Sequence, residues 1–131
     1  MCHIGGMTAM TVKASEHLEQ ARYFAWVKKH RRTHEQLHLV FAIPNGGFRH
    51  KAVAARMKAE GVEPGIPDIF VSVPKDGFSG MYIEMKSTDP KAKLSAAQED
   101  KIRLLKQHGY QVCVCKGADR AIAVTKEYLE I

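Results

Sequence analysis

Pro67-Asp68-Ile69-Phe70-Val71-Ser72-Val73-Pro74-Lys75-Asp76-Gly77-Phe78-Ser79-Gly80-Met81-Tyr82-Ile83-Glu84-Met85-Lys86 reads as two β-strands joined by a turn. Residues 69–73 and 81–86 are rich in β-branched and aromatic side chains, and the segment between them carries Pro and Gly, which interrupt strands. Pairing Val73 near Gly80 predicts an antiparallel hairpin with Asp68 opposite Met85, flanked by Glu84 and Lys86. Side chains alternate along a strand, so Tyr82, Glu84 and Lys86 share one face and Met81, Ile83 and Met85 share the other.

Two carboxylates and an ammonium thus converge. Neighbouring carboxylates repel, and burial makes ionising both costly, so as charges they need a neutralising cation. Carboxylate oxygens with waters and a substrate phosphate suit Mg²⁺ or Mn²⁺, whereas Zn²⁺ favours His and Cys. Such an ion polarises a phosphate and lowers the pKa of a bound water, and an adjacent lysine can orient that water or stabilise charge building on phosphorus. The outline is that of a metal-dependent phosphodiesterase. The competing reading is a solvent-facing strand with an ordinary cross-strand pair. Two further acidic-x-Lys triplets lack this context: Asp89-Pro90-Lys91 has a central proline, and Glu99-Asp100-Lys101 lies in a helical pattern, where i and i+2 do not share a face.

With 131 residues the chain fits one domain, here residues 15–131 behind a flexible N-terminal segment, residues 1–14. Twenty Lys and Arg against fourteen Asp and Glu give a net charge of +6, compatible with a polyanionic partner. The excess gathers at Lys28-Lys29-His30-Arg31-Arg32 and at Arg49-His50-Lys51 with Arg56 and Lys58, either as phosphate contacts or as solvated helix ends. Three cysteines, Cys2, Cys113 and Cys115, form no disulfide framework and point to an intracellular, reducing compartment. Cys113 and Cys115 alternate with Val112 and Val114 as buried free thiols of a strand. Residues 1–7 are too short and too little apolar for a signal peptide, and no run approaches membrane-spanning length.

Outward from the hairpin, Ser15 can cap a helix running to about Arg32, with a cationic last turn and with Glu16 and Gln20 one turn apart on one face. Residues 37–43 form an apolar strand ending at Pro44-Asn45-Gly46-Gly47, and residues 48–60 a second helix stopping at Gly61. Residues 62–67, with two prolines and a glycine, make a stiff approach to Asp68. Residues 95–108 read as a helix capped by Ser95 and ended by Gly109, with Leu94, Gln98, Ile102 and Leu105 on one stripe, so Gln98 faces the sheet. A strand over 110–115 and a last helix from about Ala118 follow. This order gives an α/β domain with a mixed central sheet flanked by helices, the core order of the restriction-endonuclease-like fold.

Five motifs in order and spacing resemble the virus-type replication-repair nuclease family, VRR-NUC: Ile43-Pro44-Asn45-Gly46-Gly47-Phe48-Arg49, Gly61-Val62-Glu63-Pro64-Gly65-Ile66-Pro67-Asp68, Ile83-Glu84-Met85-Lys86, Leu94-Ser95-Ala96-Ala97-Gln98 and Gly109-Tyr110. The resemblance covers about residues 15–117 and extends to the PD-(D/E)xK nuclease superfamily. It implies Asp68, Glu84 and the backbone carbonyl of Met85 as metal ligands and Lys86 as the catalytic lysine. It also implies Glu16 as a first-helix glutamate reaching the metal directly or through water, with Gln20 as its partner. Glu19 is the rival if the helix is rotated, and favourable placement near the helix dipole is the other reading of Glu16. Gln98 is either an inward site residue or half of a capping box with Ser95. Asn45 belongs to the family pattern but also suits a turn with Gly46 and Gly47, while Arg49 with Lys51 reads as a phosphate clamp.

The resemblance implies a Mg²⁺- or Mn²⁺-dependent DNA endonuclease, a homodimer acting on branched DNA such as four-way junctions, in a bacterial or phage-infected cytoplasm. The alternatives are a non-catalytic nucleic-acid-binding module with the same fold, or a nuclease acting on RNA or on a specific duplex sequence.

Overall fold

The computed structural model describes residues 9–44 and 50–131, with side chains from residue 16 onward. Helix α1 (Ala9–His30) leads through a short 3-10 turn (Glu35–Leu39) into strand β1 (Val40–Ala42). Helix α2 (Lys51–Ala59), strands β2 (Ile69–Val71) and β3 (Met81–Lys86), helix α3 (Ala96–Gln107), strand β4 (Gln111–Lys116) and helix α4 (Ala118–Leu129) follow. The order expected from the sequence is the order observed.

Two element starts move, each for a local reason. The first helix starts at Ala9, so Ser15 lies inside it instead of capping it, and residues 9–14 are helical where a loose segment was expected. No glycine or proline between Ala9 and Ser15 stops a helix earlier. The first strand begins only at Val40, because the preceding residues coil into the 3-10 turn that buries Leu37. The second helix is described from Lys51, and Asn45 and Arg49 lie outside the described residues.

The sheet runs β1-β2-β3-β4, antiparallel across its first two junctions and parallel between β3 and β4. Its register decides the site. Ile69 pairs with Ile83, Phe70 with Tyr82 and Val71 with Met81, one residue away from the expected pairing. The cause is at the turn. Lys75 bridges Phe78, and Asp76 and Gly77 both have positive φ, as a tight hairpin turn with the right twist requires. Between that bridge and the Val71–Met81 rung, Ser72, Val73 and Pro74 stand against only Ser79 and Gly80. The extra residue shifts the ladder as a bulge does. A one-residue shift exchanges faces. Continued one position beyond Ile69, the observed register sets Asp68 opposite Glu84, on the same face. The expected register would have put Asp68 on the face of Met85.

The other face is the core. Ile69, Val71, Met81, Ile83, Met85 and Cys115 are buried there against Tyr23 and Val27 of α1 and Ala121, Val124 and Tyr128 of α4. Two buried hydroxyls join these helices, Tyr23 Oη lying 2.8 Å from Thr125 Oγ1. Desolvation pushes the Tyr23 phenol up to about 12, so it stays neutral. Cys113 and Cys115 are free thiols, as expected, but only Cys115 is buried; Cys113, near the start of the edge strand β4, is half-buried. No described helix is long and apolar enough to cross a membrane.

Glu19 ties α1 to α4. Its Oε1 accepts from the Ala118 backbone N–H at 2.7 Å and from Arg22 Nη1 at 2.9 Å. Gly117, at the N-cap position of α4, has no side chain to cap the helix, so a carboxylate from α1 does so, where the helix dipole favours negative charge. Glu19→Ala is expected to cost about 1 kcal/mol of stability in chemical denaturation, while leaving divalent-metal binding by calorimetry as in wild type.

Candidate metal and phosphodiester site

Asp68 follows the stiff segment 62–67 and is anchored twice. Its backbone carbonyl accepts from the Ile43 N–H at 2.7 Å, and its Oδ2 accepts from the Met85 N–H at 2.8 Å. The side chain thereby takes the place of the next rung of the ladder. Two positions beyond the last β2–β3 pair, the same register sets Pro67 opposite Met85. Lys86 directs its carbonyl to the Gly117 N–H beside β4, so by alternation the Met85 carbonyl points toward the β2 side. Pro67 has no N–H to offer it. The proline before the aspartate thus withholds a backbone donor from the carbonyl the family resemblance assigns to a metal.

Glu84 is only 1% exposed. Its Oε2 accepts from Gln98 Nε2 at 3.1 Å, and its Oε1, fully buried, has no hydrogen-bond donor. Burial first, then the Asp68 carboxylate and a hydrogen bond shared with it, push the Glu84 carboxyl to about 9; Lys86 opposes this and the charge of Glu16 adds to it. In the metal-free protein the pair therefore holds a proton at neutral pH. A divalent cation is the other species that satisfies two such carboxylates and an orphaned oxygen.

Gln98 links the site to α3. Its Oε1 accepts from Lys86 Nζ at 3.1 Å and from the Ser95 N–H at 2.8 Å, while its own N–H donates to Ser95 Oγ at 3.1 Å. Both readings of Gln98 hold: it completes a capping box and it faces inward. The two donors on Oε1 turn Nε2 toward Glu84. Lys86, 9% exposed, is held by Gln98 where its charge acts on the Glu84 carboxyl.

Asp68, Glu84, Lys86 and Gln98 are thus brought together. Glu16 lies near enough for its charge to act on Glu84, and it sits well inside α1, whose first turn holds no acidic residue, so the dipole reading does not apply. Among the described residues no three His, Cys, Asp or Glu side chains form a metal-holding group. Glu19 is committed to α4. Gln20 is half-buried and Lys51 is exposed at the start of α2.

The sequence brings Asp68 and Glu84 together but sets Asp68 opposite Met85, one residue off the observed register, although one signal for that register is present. Ile69 and Val71 can share an apolar face with Met81, Ile83 and Met85 only in registers that place Asp68 with Glu84.

The family profile of the VRR-NUC domain matches residues 8–119. Among solved structures, one described as a VRR_NUC domain protein is 27% identical, covers 88% of this chain and 88% of its own, and superposes with a TM-score of 0.73. No curated protein matches the chain.

The raised Glu84 carboxyl has a consequence for stability. The folded state keeps a proton that the unfolded chain releases above about 4.5, so the stabilisation is complete below that pH and is lost as pH rises to about 9. Thermal melts of metal-free protein should fall in midpoint across that window, and Glu84→Gln should flatten the slope.

Proposed function

Since the chain belongs to the VRR-NUC domain family and has its nuclease-type fold, we propose that it is a Mg²⁺- or Mn²⁺-dependent DNA endonuclease selective for branched DNA such as four-way junctions. The observation that carries this reading is the buried Glu84 oxygen without a donor, beside a second carboxylate and a lysine.

Asp68, Glu84 and the Met85 carbonyl would hold the ion, with Glu16 reaching it through water. When bound, the ion supplies charge neutralisation at the phosphate and a water acidified enough to attack. Gln98 fixes where Lys86 stands, so the ammonium meets the attacking water or the phosphate without reorganising. Glu84, once ionised, gains an attractive neighbour in Lys86. Arg49 and Lys51 would contact the phosphate backbone, and Gln20 would support Glu16. The net charge of +6 favours a polyanionic substrate and predicts binding that weakens with salt. Paired cuts on two strands need two sites, and one domain offers one, which favours a two-fold homodimer. The free thiols suit a reducing cytoplasm, bacterial or phage-infected.

Wild type and Glu84→Ala on end-labelled four-way junction, flap, duplex and single-stranded DNA, each with Mg²⁺, Mn²⁺ or EDTA, test the reading. Metal-dependent cutting of the junction, lost in the variant, is expected; salt-sensitive binding without cutting in any lane would make the protein an inert nucleic-acid-binding module. Lys86→Ala is expected to lower cleavage about a hundredfold or more while metal and DNA binding persist. Asp68→Asn is expected to weaken metal binding in a calorimetric titration.

A further inference from the structure

Helix α3 touches the site at a second place. Lys101 lies one turn beyond Gln98, on the same side of the helix. Its Nζ donates to Glu63 Oε2 at 2.9 Å and to the Pro64 carbonyl at 3.4 Å. The Lys101 ammonium also holds the Glu63 carboxyl below the usual carboxylate range. Directly beneath, Gly65 passes so close to the start of α3 that a Cβ there would run into the Ala97 carbonyl, and its φ of +86° suits glycine alone. Three consecutive residues of the approach to Asp68 are therefore held on α3. The same helix holds Glu84 and Lys86 through Gln98.

We propose that Lys101 is a positioning residue for Asp68: by fixing residues 63–65 against the helix that orients Glu84, it sets the spacing of the two carboxylates. The proposal rests on the metal-site reading above. The Lys101–Glu63 pair is partly open to solvent, with Glu63 61% exposed, and such pairs add little to global stability. Its effect belongs instead to the geometry of Asp68, four residues past the Lys101 contact with Pro64, where a small displacement alters the fit of an ion. Partners that orient metal ligands from outside the ligand set change affinity about tenfold or more when removed. Lys101 occupies the acidic-x-Lys triplet that helical geometry excludes from direct chemistry, and it reaches the site through the loop.

The test combines Mn²⁺ calorimetry with hydrogen exchange of the Met85 amide, which donates to Asp68 Oδ2, in Lys101→Met and Lys101→Arg. Lys101→Met is expected to bind Mn²⁺ about tenfold more weakly and, in metal-free protein, to exchange the Met85 amide faster, with an unchanged melting midpoint. Lys101→Arg should restore the affinity. Wild-type Mn²⁺ affinity and Met85 exchange in Lys101→Met would overturn the proposal, as would a lowered midpoint with faster exchange throughout the sheet. If wild type binds no Mn²⁺, the metal reading fails, and the exchange of Met85 in metal-free protein still decides the role of Lys101.

Discussion

The burial of Glu84 against Asp68 is the constraint around which the rest of this domain is arranged. A carboxylate removed from water is costly, and a second one beside it raises the cost, so an unconstrained hairpin would turn one of them outward. Here neither can turn. Asp68 is held by the Met85 amide and by the pairing of its own carbonyl with Ile43. Glu84 is held by Gln98, whose orientation is set by a helix cap. The arrangement stores an unmet demand for positive charge at one end of the sheet, which in the metal-free protein is met by a proton.

Such a site needs a stable platform. The opposite face of the same strands supplies it: every second residue of β3, from Met81 to Met85, is buried among side chains of α1 and α4. Period-two alternation gives one strand both duties, core on one side and chemistry on the other. The helices on the core side are joined by hydroxyl and carboxylate contacts, Tyr23 with Thr125 and Glu19 with the start of α4. Helix α3, on the site side, serves orientation more than burial, since Ile102 is its one buried residue.

Much of this was legible from sequence because it is local. The order of elements, the Ser95–Gln98 cap and the face shared by Glu84 and Lys86 follow from turn residues, capping chemistry and strand periodicity, and each survives in the structure. The start of the first helix was misread because Ser15 is a good cap residue at a place where the helix had already begun. Propensity identifies residues that can end a helix, and it does not identify which of them does.

By itself, the sequence determined the class of the fold and the residue types available for chemistry, since both reside in short-range patterns of polarity. Only the tertiary structure decided that Asp68 pairs with Glu84, because one extra residue between the turn and the ladder sets which faces meet. Only packing decided that Glu16 lies near enough for its charge to act on Glu84 while Glu19 caps another helix, since the rotation of a helix about its axis is set by what it packs against. The Lys101 contact belongs to the same class: its partners lie 37 and 38 residues away in the chain, and no local pattern announces a contact made through space.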